Sequence, residues 1–254
     1  MSTSTTRAAS YEVVQGDALA VLSAIPDGAF DGVVCDPPYG TTQAPWDSVI
    51  PLAAMWEELR RVVKPGGTFV FMAAQPFSAA LIMSNPKWFR HDLVWEKNKA
   101  TGHLNAKRRP MRAHEDILVF CESSPRYSPQ MSEGHAPVNS FTRRSNGELY
   151  GATKVQKGGG STARYPRSVV RFSVVNNSSP EKFHPNQKPV ELAEYLVKTY
   201  AAPGMRILDF ACGSGSFGVG ALRCGVDYFG IDISQSYCDR ARARLRAVSL
   251  EAQA

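Results

Sequence analysis

Short apolar runs alternate with segments of helical period along most of the chain. Tyr11–Gln15, Phe30–Cys35, Thr68–Met72, Asp92–Glu96, Ile117–Cys121, Arg206–Phe210 and Tyr228–Ile231 each read as a strand. Phe30–Cys35 is apolar except for Asp31, the mark of a strand covered on both faces. Between the runs lie segments with helical spacing. In Val49–Val63, for example, Leu52, Met55, Trp56, Leu59 and Val63 fall on one side. Lys64-Pro65-Gly66-Gly67 stops that helix before the next strand, which makes a crossover unit of a parallel sheet. Further helices are expected at Ala18–Ala24, Phe77–Ser84, Val190–Tyr200, Ser216–Arg223 and Ser234–Ala247.

The pattern lapses from Ser123 to Pro180, where Ser, Pro, Gly and Asn abound and Gly158-Gly159-Gly160 interrupts any element. Phe141, Tyr150, Tyr165 and Phe172 speak against outright disorder, so this stretch reads as an inserted unit, mobile until bound. The expected organisation is a disordered 1–10, one α/β domain made of 11–122 and 181–250, and the insertion 123–180. A total of 254 residues allows one such domain with an insertion and hardly two enzyme domains.

Charge adds a class of partner. Twenty-nine basic against 23 acidic residues give +6, and the excess is clustered. Lys97, Lys99, Lys107, Arg108, Arg109 and Arg112 form a run with no acid until Glu115. Arg143, Arg144, Lys154, Lys157, Arg164, Arg167 and Arg171 dominate the insertion. Solvated loops are one reading of such runs and phosphate-tracking loops the other. Five scattered cysteines lack metal-knuckle spacing and read as buried thiols of a reducing compartment, so no metal is expected. Neither a signal peptide nor a membrane span is expected, which points to the cytoplasm, in association with the nucleoid.

Two strand ends carry the candidate chemistry. Asp36-Pro37-Pro38-Tyr39-Gly40 closes the Phe30–Cys35 strand, and the prolines stiffen the backbone at the sheet edge where ligands of open α/β sheets bind. Asp36 there is either a turn cap or, with the fixed carbonyls, an acceptor for an amine beside a stackable ring. Asp17 ends the first strand and is as readily a helix cap as a ligand contact. Near the other terminus, Gly213-x-Gly215-x-x-Gly218 links strand to helix, and Asp232 follows Gly213 by 19 residues (232 minus 213). That is the spacing of a nucleoside site, with the acid on the ribose hydroxyls. Only 22 residues follow Asp232 (254 minus 232), so the sheet must be completed by N-terminal strands. A permuted order then sets the Asp36 strand beside the Gly213 strand, with both sites at one cleft. Transfer of a group to a nucleobase amine suits that pairing better than hydride transfer.

Taken together, the chain resembles the permuted (beta) exocyclic-amino DNA methyltransferases. Gln15-Gly16-Asp17, Asp36 to Tyr39, Trp95-x-Lys97, His114-Glu115, His184-Pro185-x-Gln187-Lys188-Pro189 and Leu208-Asp209 carry the resemblance over nearly the whole length. One departure is Ala211 at the place of the family's usual Phe, with Phe210 one position earlier. The resemblance implies a Rossmann-like, mostly parallel, seven-stranded methyltransferase sheet with S-adenosyl-L-methionine as cofactor. It implies that Asp36 and the Pro37 carbonyl accept from the target amine, Pro38 stiffens the turn, and Tyr39 stacks on a flipped-out base. It places Asp232 on the cofactor ribose and Asp17 on the adenine amine. The Asp209–Gly215 loop, including Ala211 and Gly213, surrounds the methionine portion with Lys188. Double-stranded DNA is the implied partner, held by Lys97, Lys107, Arg108, Arg109, Arg143, Arg144, Arg164 and Arg167, and a homodimer is left open. Asp in the first motif position points to adenine N6, since cytosine-N4 enzymes commonly have Ser there. Protein-amide methyltransferases carry Asn-Pro-Pro-Tyr after the cofactor loop, the opposite order. A catalytically silent DNA-binding subunit is the reading from another class, and the intact Asp36, Tyr39, Gly213, Gly215 and Asp232 weigh against it.

Overall fold

The structure, a computed structural model, describes residues 8–44, 47–144, 146–147, 151–152, 154–176, 178–180, 182–184 and 186–252. The first seven residues, Tyr150 and Pro185, on which expectations above bear, lie outside these.

Period-2 alternation builds the main sheet. The chain begins with β1 (Tyr11–Gln15), α1 (Ala18–Ser23), β2 (Phe30–Cys35), α2 (Leu52–Val62) and β3 (Val63–Ala73). It continues through α3 (Phe77–Ser84), β4 (Phe89–Thr101) and β5 (Arg112–Phe120). In β3, Phe69 and Phe71 join one core cluster while Val70 and Met72 join the other, because successive side chains leave a strand on opposite faces. The first cluster is roofed by α2 and α3 through Met55, Trp56, Leu59, Phe77 and Leu81.

Four short strands follow: β6 (Phe141–Arg143), β7 (Asn146–Gly147), β8 (Gly151–Ala152) and β9 (Gln156–Gly158). They pair β6 with β9 and β7 with β8, both antiparallel, inside a compact unit of residues 129–167. An isolated bridge between Ser132 and Arg164 closes the base of that unit. The remaining elements are β10 (Val169–Phe172), α4 (Val190–Tyr200), β11 (Arg206–Asp209), α5 (Ser216–Arg223), β12 (Asp227–Asp232) and α6 (Gln235–Glu251). Helices α4, α5 and α6 cover the second cluster through Leu196, Val219, Ala241 and Leu245.

The main sheet runs β1–β12–β11–β2–β3–β5–β4–β10, with only β5 antiparallel to its neighbours. It has eight strands among the described residues where seven were expected. The eighth is β10, from the stretch assigned to the insertion. Val169 and Val170 pair with Val94 and Trp95, and the Trp95 indole donates to the Phe172 carbonyl at 2.8 Å. The separate unit is therefore narrower than 123–180. The basic run after Trp95 is also not a plain loop. β4 and β5 continue it as a hairpin with Thr101 opposite Arg112, and Lys107, Arg108 and Arg109 lie exposed at its tip. No helix among the described residues is long and apolar enough to cross a membrane.

Candidate active site

Strand order decides where the two chemical segments meet. β2 pairs with β11, Gly32 opposite Ile207 and Val33 opposite Leu208, so the Asp36 turn and the Gly213 loop leave adjacent parallel strands at the same end. Asp36, Tyr39, Lys188, Gly213 and Asp232 all line one cleft of about 1460 Å³.

The Gly213 loop follows from local backbone chemistry. Gly213 and Gly215 have φ of 51° and 75°, the left-handed region, and a side chain at Gly215 would press on the Ala241 backbone at 3.2 Å. Asp232, at the end of β12, fixes the loop from below. Its Oδ2 accepts from the Gly213 N–H at 2.8 Å and its Oδ1 from the Ser234 N–H at 2.8 Å. Asp17 caps α1, accepting from the Ala20 N–H at 3.0 Å, while also bordering the cleft. Ala211 borders the cleft as well, and Phe210 is buried against Phe71 at 6.1 Å.

Asp209 departs from expectation. It was placed around a cofactor, yet it is wholly buried beneath the loop and is not part of the cleft lining. Its Oδ2 accepts from the Tyr228 hydroxyl at 2.9 Å, and burial pushes its carboxyl up to about 7. Its work is to hold β11 to β12.

The Asp36 carboxylate has a donor on each oxygen. The Tyr39 hydroxyl donates to Oδ1 at 2.6 Å and the Lys188 ammonium to Oδ2 at 2.5 Å. Burial, with Asp36 and Glu115 nearby, raises the Tyr39 phenol far above its ordinary range, so it remains a donor. The Tyr39 ring stacks on Phe77 with centroids 5.4 Å apart and planes 22° from parallel. Phe77 thus backs one of its two faces.

Lys188 and Lys97 meet carboxylates that the sequence did not pair with them. The Lys188 ammonium sits between Asp36 and Glu115, 3.4 Å from Glu115 Oε2. Burial works against its charge, but the two carboxylates outweigh burial and raise it above an ordinary lysine. Lys97, expected on phosphate, is buried and pairs with Glu115 Oε1 at 3.1 Å. Burial alone would raise Glu115, and the Lys188 and Lys97 ammonium groups instead hold it below the usual carboxylate range. The signal for this was in the strand. Leu93, Trp95 and Lys97 alternate on one face, and a lysine in phase with buried neighbours needs an acid.

Asp47 escaped notice in the sequence. Its two oxygens accept four backbone N–H groups, from Tyr39 and Gly40 (2.8 and 2.9 Å) and from Thr41 and Thr42 (2.9 and 2.7 Å). Burial works to raise this carboxyl and the hydrogen bonds overcome it, leaving it lowered. Asp47 therefore sets the backbone that carries Tyr39. Asp47→Ala is expected to cost these four amides roughly 10- to 100-fold in hydrogen-exchange protection. Unchanged protection would mean that the turn holds itself.

Of the other basic residues, Arg143, Arg144 and Arg167 are exposed, and Arg143 lies over the Phe141 ring at 5.1 Å. Arg164 is spent on its own unit, donating to the carbonyls of Ala136, Ser161 and Ala163. That leaves Arg164 as a structural staple rather than a free cation.

Residues 30–243 match the N6/N4 DNA methylase family. The chain is 27% identical over 237 residues to the type II methyltransferase M1.MboII of Moraxella bovis, covering 85% of this chain and 89% of that one. It is 26% identical over 247 residues to M.HpaI of Haemophilus parainfluenzae, covering 92% and 73%. Among solved structures, the M1.HpyAVI–SAM complex is similar at a TM-score of 0.64 and 18% identity, covering 92% and 98%. The cytosine-N4-specific PvuII DNA methyltransferase is similar at 0.66 and 14%, covering 96% and 93%. With the match spanning both the Asp36 turn and the Gly213 loop, the chain belongs to the N6/N4 family of DNA methylases.

Proposed function

We propose that the protein transfers the methyl group of S-adenosylmethionine to the N6 amino group of an adenine flipped out of double-stranded DNA. The observation that carries this reading is the single cleft shared by Asp36 and the Gly213–Asp232 pair. The cofactor fits the residues present. The left-handed glycines leave room for close backbone approach, and Asp232 stands at the cleft as the acid of a nucleoside site. When bound, S-adenosylmethionine supplies an electrophilic methyl on a sulfonium.

The chain's own residues do the rest. An aromatic amine is a weak nucleophile because its lone pair is delocalised into the ring. Asp36 and the Pro37 carbonyl accept its two N–H groups and favour a tetrahedral nitrogen. The Asp36 carboxylate offsets the positive charge that develops on that nitrogen. Tyr39, backed by Phe77, stacks on the extruded base and holds it for in-line attack at about 3–3.5 Å. Extrusion costs a few kcal/mol, offset in part by contacts to the DNA backbone. Lys107, Arg108 and Arg109 on the hairpin and Arg143, Arg144 and Arg167 on the small unit are the exposed cations for that task.

Two expected outcomes probe the binding roles. Asp232→Ala should weaken cofactor affinity roughly 10- to 100-fold by calorimetry, and an unchanged dissociation constant counts against a ribose contact. Replacing Lys107, Arg108 and Arg109 with alanine should flatten the log–log salt dependence of DNA binding by about 2–3. An unaltered slope removes the hairpin tip from the interface. The reaction itself is tested by nucleoside mass spectrometry of DNA incubated with the protein and S-adenosylmethionine. N6-methyladenine is the expected product, and N4-methylcytosine in its place overturns the choice of base.

A further inference from the structure

One charged group in the cleft has no part in the chemistry above. The Lys188 ammonium occupies Asp36 Oδ2 at 2.5 Å while the Tyr39 hydroxyl occupies Oδ1 at 2.6 Å. Both oxygens of the carboxylate assigned to the target amine are therefore engaged by donors of the protein. A cation in that position also opposes the purpose of the carboxylate. Positive charge that develops on the base nitrogen meets an Asp36 already neutralised by lysine.

We propose that Glu115 is a positioning residue that takes over the Lys188 ammonium as the target amine arrives, so that Asp36 Oδ2 passes from lysine to base. This rests on the assignment of Asp36 to the amine. Lys188 already lies 3.4 Å from Glu115 Oε2, and a shift of about 0.6 Å brings it to charge-assisted hydrogen-bond distance. An ammonium has three donors, so it can tighten on one partner as it leaves the other. Glu115 is held ready to receive it, since Lys97 grips Oε1 at 3.1 Å and the two side chains are only 4% and 16% exposed. The arrangement is balanced throughout. Two lysines and two acids sum to zero before and after the exchange, so no buried charge is stranded. The incoming amine N–H replaces the ammonium N–H on Oδ2, and no bond beyond hydrogen bonds is made or broken.

Glu115→Gln keeps the shape of the side chain and removes the charge that competes for Lys188. It should lower kcat roughly 10- to 100-fold with cofactor dissociation constant and DNA affinity close to wild type, and with a lower melting temperature because Lys97 loses its acid. In a Lys188→Met background, where there is no ammonium to move, Glu115→Gln should cause no further loss. Full turnover in Glu115→Gln, or losses that multiply in the double variant, overturns the proposal. A merely structural glutamate would lower both affinities along with turnover, which also overturns it. A wild-type structure with a methyl-inert cofactor analogue and target DNA needs no variant to fold. Lys188 Nζ is expected nearer Glu115 than Asp36 there, and an ammonium still on Oδ2 beside a seated base refutes the exchange. Should the base amine in that complex lie away from Asp36 altogether, it is the assignment of Asp36 that fails.

Discussion

Replacing Asp36 with alanine is expected to stop methyl transfer, with turnover down by about 1000-fold or more, while S-adenosylmethionine still binds in calorimetry. The size of the effect follows from the proposed double duty of the carboxylate. It accepts an N–H of the amine in the ground state and offsets nitrogen charge only as the methyl arrives, so its loss falls mainly on the transition state. Cofactor binding survives because the Gly213–Asp232 bond joins the loop after β11 to the end of β12 and does not involve Asp36. The variant should also fold, since Lys188 keeps Glu115 at 3.4 Å. Asp36→Asn separates charge from hydrogen bonding: it retains an acceptor oxygen, so a comparable loss of turnover assigns the effect to charge. Wild-type turnover in Asp36→Ala would remove the residue from the reaction.

The largest stability effect is expected at Trp56. Its ring is almost wholly buried on α2, where it meets Phe69, Phe71, Trp88 and Phe120 with centroids 5.2 to 6.2 Å away. The indole N–H donates to Ser84 Oγ at 2.8 Å, so α2, α3 and the sheet converge on this side chain. Trp56→Ala should cost about 3–5 kcal/mol through lost burial and the cavity left behind. Against a total stability on the order of 5–15 kcal/mol, that is a large share. The expected readout is a melting temperature lower by roughly 10 °C, with cofactor affinity preserved in the protein that remains folded. A loss below about 1 kcal/mol would mean that α2 packs without its tryptophan.

Local pattern made the elements legible. Phe30–Cys35, Phe77–Ser84, Val190–Tyr200 and Ser216–Arg223 have in the structure the bounds their periodicity implies. The strands on either side of the basic run are longer than local pattern implies, Phe89–Thr101 in place of Asp92–Glu96, because polar residues that pair in an extended hairpin look like loop residues in isolation. β10 was missed for a related reason. Val169–Phe172 is four residues long and gains its identity only by pairing with β4.

The candidate site divides along the same line. Asp36, Tyr39, Gly213 and Asp232 could be named from sequence, because turn geometry and spacing within a strand–loop–helix unit act over a few residues. The partners of Lys97, Lys188 and Glu115 could not. Asp36 and Lys188 are 152 positions apart, and only the pairing of β2 with β11 and the return of the chain into α4 bring them within 2.5 Å. By itself the sequence marked most strands and helices of the main sheet and the two turns of the candidate site, since those depend on the local alternation of apolar and polar residues. Which charge meets which was decided by the tertiary structure alone, because burying an ammonium requires carboxylates delivered by distant strands, and no local pattern records their arrival.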